Sequence, residues 1–164
     1  MPPLDFEPLN EISILERSKP GTLFCFGHGF SSRALARRLI PKGWEVSGTC
    51  RDIGSKNILN NEGLLYKYDG ININKEIYNA IDKSTHLLIS IPPQVSGDPV
   101  LDLFSNENLN WNHLKWIGYI SSTGVYGDAK GEWVHEDSVL KPATAINQRR
   151  VAIESAWLKL YKVN

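Results

Sequence analysis

Short, mostly apolar runs alternate with amphipathic segments along most of the chain. Apolar runs that end at glycine, proline or polar residues are typical of strands buried on both faces. Five such strands are predicted: Thr22–Phe26, Trp44–Thr49, Gly63–Tyr68, His86–Ile91 and Trp116–Ser121. Between and after them, apolar residues recur at helical spacing and predict helices over 31–40, 72–83, 100–104 and 148–160. This alternation predicts an α/β fold, a doubly wound parallel sheet with helices on both faces.

The ends of the pattern and two asparagine-rich stretches mark the predicted boundaries. Residues 1–20 have the composition of a polar leader that ends at the turn signal Lys19-Pro20-Gly21. Residues 21–164 then form a single predicted domain. The asparagine-rich stretches near 57–61 and 106–112 are predicted to be loops.

Composition and charge exclude several classes of protein. The chain has 164 residues, and its 18 Lys and Arg balance 18 Asp and Glu, so it lacks the basic face of a nucleic-acid binder. It contains no apolar run of the ~20 residues that span a bilayer, and its acidic N-terminus does not fit a signal peptide. Two cysteines, Cys25 and Cys50, are too few for a disulfide framework. We therefore expect a cytoplasmic protein that binds neither nucleic acid nor a membrane.

A glycine loop follows the first predicted strand and opens the first predicted helix. In such a loop, residues without bulky side chains let the backbone approach a pyrophosphate, and the helix N-terminus supplies free N–H groups. The spacing is GxGxxS, in which a small serine occupies the position of the third glycine. The predicted dinucleotide-binding residues of this loop are Gly27, His28, Gly29, Phe30, Ser31 and Ser32. The alternative is that the glycine pair is only a tight turn.

The residues after the second strand bear on the choice of nucleotide. An NAD site places a carboxylate there for the ribose 2′-hydroxyl, whereas an NADP site favours arginine for the 2′-phosphate. Here Arg51 stands at the strand tip and Arg33 lies just after the glycine loop, so both guanidinium groups could meet one phosphate. This favours NADP over NAD. The alternative is that both arginines are solvated and that Asp52 pairs with Arg51.

Residues after the third and fourth strands are predicted to complete the cofactor site. Asp69 could accept a hydrogen bond from the adenine amino group, and an ordinary turn aspartate is an equal alternative. Ile91, Pro92 and Pro93 end the fourth strand at the same edge of the sheet. A Pro-Pro pair and a glycine loop also occur in methyltransferases, but those enzymes usually carry an acid where this chain has Arg51.

The most specific stretch follows the fifth strand and reads YISSTGVYG from Tyr119 to Gly127. Together with the glycine loop, Arg51 and Asp69 upstream, it resembles the extended short-chain dehydrogenase/reductase family, which includes NAD-dependent epimerases and dehydratases. The resemblance runs from about Thr22 to Trp157.

The resemblance implies roles for several side chains. The family's strand hydroxyl, which hydrogen-bonds the substrate oxygen, falls on Ser122, with Thr123 beside it. The family's catalytic tyrosine and lysine fall on Ile146 and Arg150, and this chain departs from the motif at both. Ile146 has no proton to give, whereas Arg150 can still hydrogen-bond a ribose. Tyr126 is the candidate to replace the missing tyrosine.

The resemblance also implies a function and an architecture. It implies an NAD(P)-dependent oxidoreductase or epimerase with a small sugar-nucleotide-like substrate. The alternative is a non-catalytic dinucleotide sensor or partner-binding module. Extended family members continue into further strands and a substrate domain, which we expect to be missing here. One sheet edge would then be exposed or covered by a partner, as in a homodimer.

Overall fold

A computed structural model of the protein describes residues 19–52, 58–59, 62–104 and 111–161, with the backbone alone at 58, 59 and 161. The predicted leader therefore lies outside the described residues, apart from Lys19 and Pro20. Among the described residues, no helix is both long enough and apolar enough to cross a membrane.

All five predicted strands and all four predicted helices are present, with bounds within three residues of the predicted ones. The strands are β1 Thr22–Phe26, β2 Glu45–Cys50, β3 Ile58–Leu59, β4 Gly63–Lys67, β5 His86–Ile89 and β6 Trp116–Tyr119. The helices are α1 Phe30–Leu39, α2 Lys75–Asp82, α3 Pro99–Phe104 and α4 Ala145–Tyr161, with 3-10 turns at Ile40–Lys42 and Thr123–Tyr126.

Strand β3 corrects the prediction of a loop near 57–61. Ile58 lies opposite Leu64, and Leu59 lies opposite Gly63, in an antiparallel pair. A two-residue strand is too short to show any periodicity, so its pairing with β4 cannot be read from its own residues. The other residues of that stretch, like positions 106–110 of the second one, lie outside the described residues.

The strands form one sheet in the order β3-β4-β2-β1-β5-β6, in which every pair except β3–β4 is parallel. From β1 the chain winds first to β2 and β4 on one side, and then to β5 and β6 on the other. The connections after β1 and β5 therefore run toward opposite edges of the sheet. Parallel sheets bind ligands in the crevice that opens at such a reversal, outside the carboxyl ends of the strands.

Helices cover both faces of the sheet, which confirms the doubly wound prediction. Side chains of β1 alternate between the two cores, since successive residues of a strand point to opposite faces. Phe24 and Phe26 pack into the core beneath α2, α3 and α4, with Ile77, Ile81, Leu87, Ile89, Val100 and Trp157. Leu23 and Cys25 pack into the core beneath α1, with Ala36, Leu39, Trp44, Val46 and Leu88.

A buried aspartate connects α3 to α4. Asp98 is only 2% exposed, and its Oδ1 accepts hydrogen bonds from the amides of Val100 (2.8 Å) and Leu101 (3.2 Å) at the start of α3. Its Oδ2 accepts from the indole Nε1 of Trp157 on α4 at 3.1 Å. One carboxylate thus caps one helix and anchors another.

We expect Asp98→Ala to destabilise the protein by about 2–4 kcal/mol, because it removes a helix cap and leaves the buried indole N–H without a partner. Urea denaturation followed by circular dichroism measures this. Asp98→Asn is the matched control, since its side-chain oxygen can still cap α3 while its amide nitrogen cannot accept from Trp157. Equal stability of the Ala and Asn variants would contradict the assigned role of the cap.

Candidate functional site

The glycine loop lies at the crevice between β1 and β5. Gly27 is the loop residue that is held most closely by its neighbours. Gly27 has a φ of +89°, and its amide donates to Oγ1 of Thr49 at 2.9 Å. A Cβ added here would lie 2.7 Å from Cγ2 of Ile91 and 2.8 Å from Oγ of Ser90. Both the backbone angle and the space therefore require glycine at this position. The same contacts bring Ile91, a predicted cofactor residue, beside the loop.

Two buried hydroxyls hold the carbonyl of Gly27. Ser32 is fully buried, and its Oγ donates to this carbonyl at 2.8 Å, which confirms that a serine fits at the third position of the loop motif. Ser90 donates to the same carbonyl and lies 3.2 Å from the hydroxyl of Ser32. Sequence reasoning missed Ser90, although a serine at the end of an apolar strand was a visible signal.

In contrast to Gly27, Gly29 faces open space. It is the N-cap of α1, no side chain caps this helix, and no acidic residue stands in the first turn. A Cβ added to Gly29 would meet no atom within 4 Å. Phe30 and Ser31 are exposed beside it. The first amides of α1 are therefore open to an anionic ligand, the arrangement that binds a pyrophosphate.

The histidine inside the loop turns inward, away from solvent. His28 is 2% exposed, its Nε2 lies 2.6 Å from the carbonyl oxygen of Glu62, and its amide donates to the carbonyl of Thr49. It packs over Gly48 of β2, where an added Cβ would lie 3.0 Å from the Cβ of His28. Because a carbonyl only accepts, Nε2 carries the proton. The ring therefore fastens the residue before β4 to the loop.

Glu62 also binds two arginines of α1. Its Oε1 accepts from Nε of Arg37 at 2.8 Å, and its Oε2 lies 3.7 Å from Nε of Arg33. These two cations lower the pKa of Glu62, with the hydrogen bond from Arg37 as the largest cause. Sequence reasoning missed Glu62, because only the fold brings the residue before β4 next to α1.

The two arginines predicted to meet at one phosphate have different surroundings. Nε of Arg33 donates to the carbonyl of His28 at 3.2 Å, and the amide of His28 in turn donates to the carbonyl of Thr49 near the end of β2. Burial raises the pKa of the Cys50 thiol, and the charge of Arg33 opposes the increase. Arg51 is exposed directly after β2. Both arginines therefore lie near the carboxyl end of β2.

Asp69 occupies the turn after β4. Its Oδ1 accepts hydrogen bonds from the amides of Ile71 (2.8 Å) and Asn72 (3.2 Å), and these bonds lower its pKa. This is the turn role that sequence analysis left open as an alternative. A Cβ added to the neighbouring Gly70 would lie 2.6 Å from Nε2 of Gln94. The loop after β5, with Pro92 and Pro93, therefore reaches the side of this turn.

At the end of β6, neighbouring serines differ in their contacts. Oγ of Ser122 accepts from the amide of Gly124 at 3.2 Å and caps the 3-10 turn, which leaves its O–H free to donate. Oγ of Ser121 is buried, and the described residues offer it no hydrogen-bond partner. Thr123 is exposed, and Tyr126 is half-buried.

Several solved structures of known proteins are similar to this architecture. No protein-family model and no curated protein matches the chain. A functionally unknown conserved protein from Silicibacter pomeroyi is 38% identical, with a TM-score of 0.69 over 84% of this chain and 48% of that one. UDP-N-acetylglucosamine 4-epimerase from Bacillus cereus is 14% identical, with a TM-score of 0.61 over 87% of this chain and 50% of that one.

WbmG from Bordetella bronchiseptica, solved in complex with NAD and UDP, is 17% identical, with a TM-score of 0.60 over 86% of this chain and 50% of that one. This chain thus spans about half the length of the solved structures that it matches. The chain has a Rossmann-like α/β fold, which it shares with solved epimerase and dehydratase structures. This confirms the resemblance seen in the sequence.

Helix α4 carries Ile146 and Arg150, the positions that the sequence resemblance assigns to the family's tyrosine and lysine. Ile146 is 59% exposed on that helix, and Nη1 of Arg150 donates to the carbonyl of Ile120 at 3.4 Å. A Cβ added to Gly124 would lie 2.7 Å from the side-chain amide of Asn147, so α4 packs directly on the 3-10 turn at Thr123–Tyr126. The fold therefore brings Arg150 to the end of β6, although Ile146 supplies no titratable group there.

We expect the protein to lose stability as the pH falls below about 6.5, with part of this loss arising from His28. Burial lowers the pKa of His28 from its ordinary value of 6.5, and the charge of Arg33 lowers it further, whereas Glu62 opposes the shift. The unfolded chain then binds more protons than the folded one, so stability is complete above the unfolded pKa and decreases below it.

His28→Gln should reduce the loss of stability at low pH, because glutamine can still donate to the carbonyl of Glu62 but does not titrate. The measurement is urea denaturation between pH 5 and pH 8. Burial also lowers the pKa of His86, so part of the slope should remain. An unchanged pH profile in His28→Gln would contradict the prediction.

Proposed function

We propose that this chain binds a nicotinamide dinucleotide at the carboxyl edge of its sheet, with the pyrophosphate at the N-terminus of α1. The observation that carries the proposal is the open, uncapped start of α1 at Gly29, directly beside the close-packed Gly27. Of the two glycines in the loop, only Gly27 is required by packing. The absence of a side chain at Gly29 has no packing reason, and close approach of a ligand would explain it.

The cofactor would extend from this point along the carboxyl edge. Arg51 and Arg33 lie near the end of β2, where a 2′-phosphate would favour NADP over NAD. The free lone pairs of Asp69 would accept from the adenine amino group, and Ile91, Pro92 and Pro93 would line the crevice. WbmG was solved with NAD, which supports a nicotinamide dinucleotide without deciding between the two forms.

The proposed reaction is that of an oxidoreductase or epimerase acting on a sugar-nucleotide-like substrate. The bound nicotinamide would supply hydride transfer. Ser122 would donate its O–H to the reacting oxygen, with Thr123 beside it and Tyr126 as the nearby phenol. Arg150 would orient the nicotinamide ribose, since its charge is fixed and it cannot act as an acid. The proposed substrate class is that of UDP-N-acetylglucosamine 4-epimerase, which has the same fold at low identity.

A second candidate is a dinucleotide-binding module without turnover, such as a redox sensor or a partner-binding subunit. The observation that favours it is Ile146, which leaves the family's tyrosine position without a proton donor. General acid–base catalysis typically contributes 10²–10⁴-fold to a rate, so this loss is large. Binding is common to both candidates, and turnover separates them.

Gly29→Asp tests the binding site. We expect equal or slightly higher stability, because aspartate is a good N-cap residue, by a few tenths of a kcal/mol. We also expect dinucleotide affinity to decrease more than about tenfold, since the carboxylate would repel a pyrophosphate at the same amides. Calorimetric titration with NADPH and then NADH measures affinity, and thermal unfolding measures stability.

Gly29→Asn is the matched control, because it offers a similar cap without the charge and should reduce affinity less. S-adenosylmethionine serves as the control ligand for the methyltransferase alternative. If the folded wild-type chain binds neither dinucleotide, the proposal is wrong and the glycine loop is only a structural turn.

Turnover decides between the two candidates. The non-catalytic candidate predicts that the wild-type chain, with Ile146 at this position, binds a dinucleotide without converting a UDP-sugar. Conversion is measured as absorbance at 340 nm for oxidation and as the amount of epimer formed, because epimerisation leaves no net NADH. Turnover by the wild-type chain would establish the enzyme instead. The double variant Ile146→Tyr/Arg150→Lys tests whether restoring the proton donor is sufficient for turnover. Its control is Ile146→Phe/Arg150→Lys, which adds the ring without the hydroxyl.

A further inference from the structure

Glu62 is an acidic residue placed among the cations of the proposed adenosine site. Its side chain is only 16% exposed, and its carboxylate contacts Arg37 through Nε at 2.8 Å and Arg33 at 3.7 Å. Its backbone carbonyl accepts from the buried His28. Glu62 is therefore held at this position by both its carboxylate and its backbone carbonyl.

Arg33 is shared between this carboxylate and the edge where a ligand would bind. Its Nε donates to the carbonyl of His28 in the glycine loop, and the amide of His28 in turn donates to the carbonyl of Thr49 near the end of β2. The side chain of Arg33 remains 42% exposed. Its contact with Glu62 is longer than that of Arg37, so Arg33 is the cation with capacity left for a second anion.

We infer that Glu62 is a specificity-determining residue that weakens the preference for NADP over NAD by partly neutralising Arg33. The inference rests on the proposed dinucleotide function. A 2′-phosphate carries between one and two negative charges, whereas the 2′-hydroxyl of NAD carries none. The charge of Glu62 therefore acts on the binding of NADP in two ways, by occupying Arg33 and by repelling the phosphate. Neither effect applies to NAD, because NAD has no 2′-phosphate.

Glu62→Gln tests this directly, because glutamine keeps the size and an oxygen acceptor for Arg37 while the charge is lost. We expect the Kd for NADPH to fall roughly fivefold, the scale of two unit charges that interact through bulk water at about 4 Å. The Kd for NADH should change less than about twofold. The gain should shrink between 50 mM and 500 mM salt, because exposed charges are screened.

Glu45→Gln is the matched control, since it removes the same charge from an exposed residue that is level with Glu62 in the register of β2 and β4, and that forms no salt bridge with Arg33 or Arg37 among the described residues. In an Arg33→Gln background, Glu62→Gln should lose most of its effect on NADPH, because the shared cation is absent. An unchanged NADPH-to-NADH affinity ratio in Glu62→Gln, relative to Glu45→Gln, overturns the inference while the dinucleotide function stands. Binding of neither cofactor by the folded wild-type chain overturns both.

Arg37→Gln provides an opposite prediction that does not depend on the stability of the Glu62 variant. Without Arg37, the carboxylate has only Arg33 to pair with, and the NADPH affinity should therefore decrease about two- to fivefold. NADH affinity should again stay nearly constant. An increase in NADPH affinity, or equal losses for both cofactors, would contradict the assigned role of Glu62.

Discussion

The left-handed backbone at Gly27 is the constraint on which the rest of the site depends. Its amide is bound by Thr49 of β2, and its carbonyl is bound by Ser32 of α1 and by Ser90 at the end of β5. Three strands and a helix therefore meet at one residue that cannot carry a side chain. Because Gly27 is fixed, α1 begins at a defined point, and its open amides face the crevice.

Much of the fold could be predicted from the sequence, because its strands are buried on both faces. Burial gives each parallel strand an apolar run that ends abruptly, as in the run that ends at Phe26 before Gly27. The two-residue strand β3 could not be predicted in this way, because its pairing is determined by β4. Periodicity reports how an element is buried and gives no information about a short edge strand.

The candidate site could be predicted only where it follows from spacing along the chain. The two glycines and Ser32 have their positions fixed by one short turn, and the structure places them as the spacing implied. His28 and Glu62 are separated by 34 residues and are joined only by the fold. The burial of His28 was therefore not visible in the sequence, and neither was the pairing of Arg33. At β6, local capping decides which hydroxyl is engaged, so Ser121 and Ser122 differ although both follow the same strand.

The proposed binding and the proposed chemistry depend on different parts of the fold. The proposed binding surface consists of backbone amides whose position is set by Gly27, so its loss would require a change in the core. The positions of the family's tyrosine and lysine are side chains on an accessible face of α4, where Ile146 is 59% exposed. A substitution there costs the fold little, because surface positions usually change stability by less than about 0.5 kcal/mol. Under the proposed function, a substitution at Ile146 can therefore remove the proton donor while the dinucleotide site is kept.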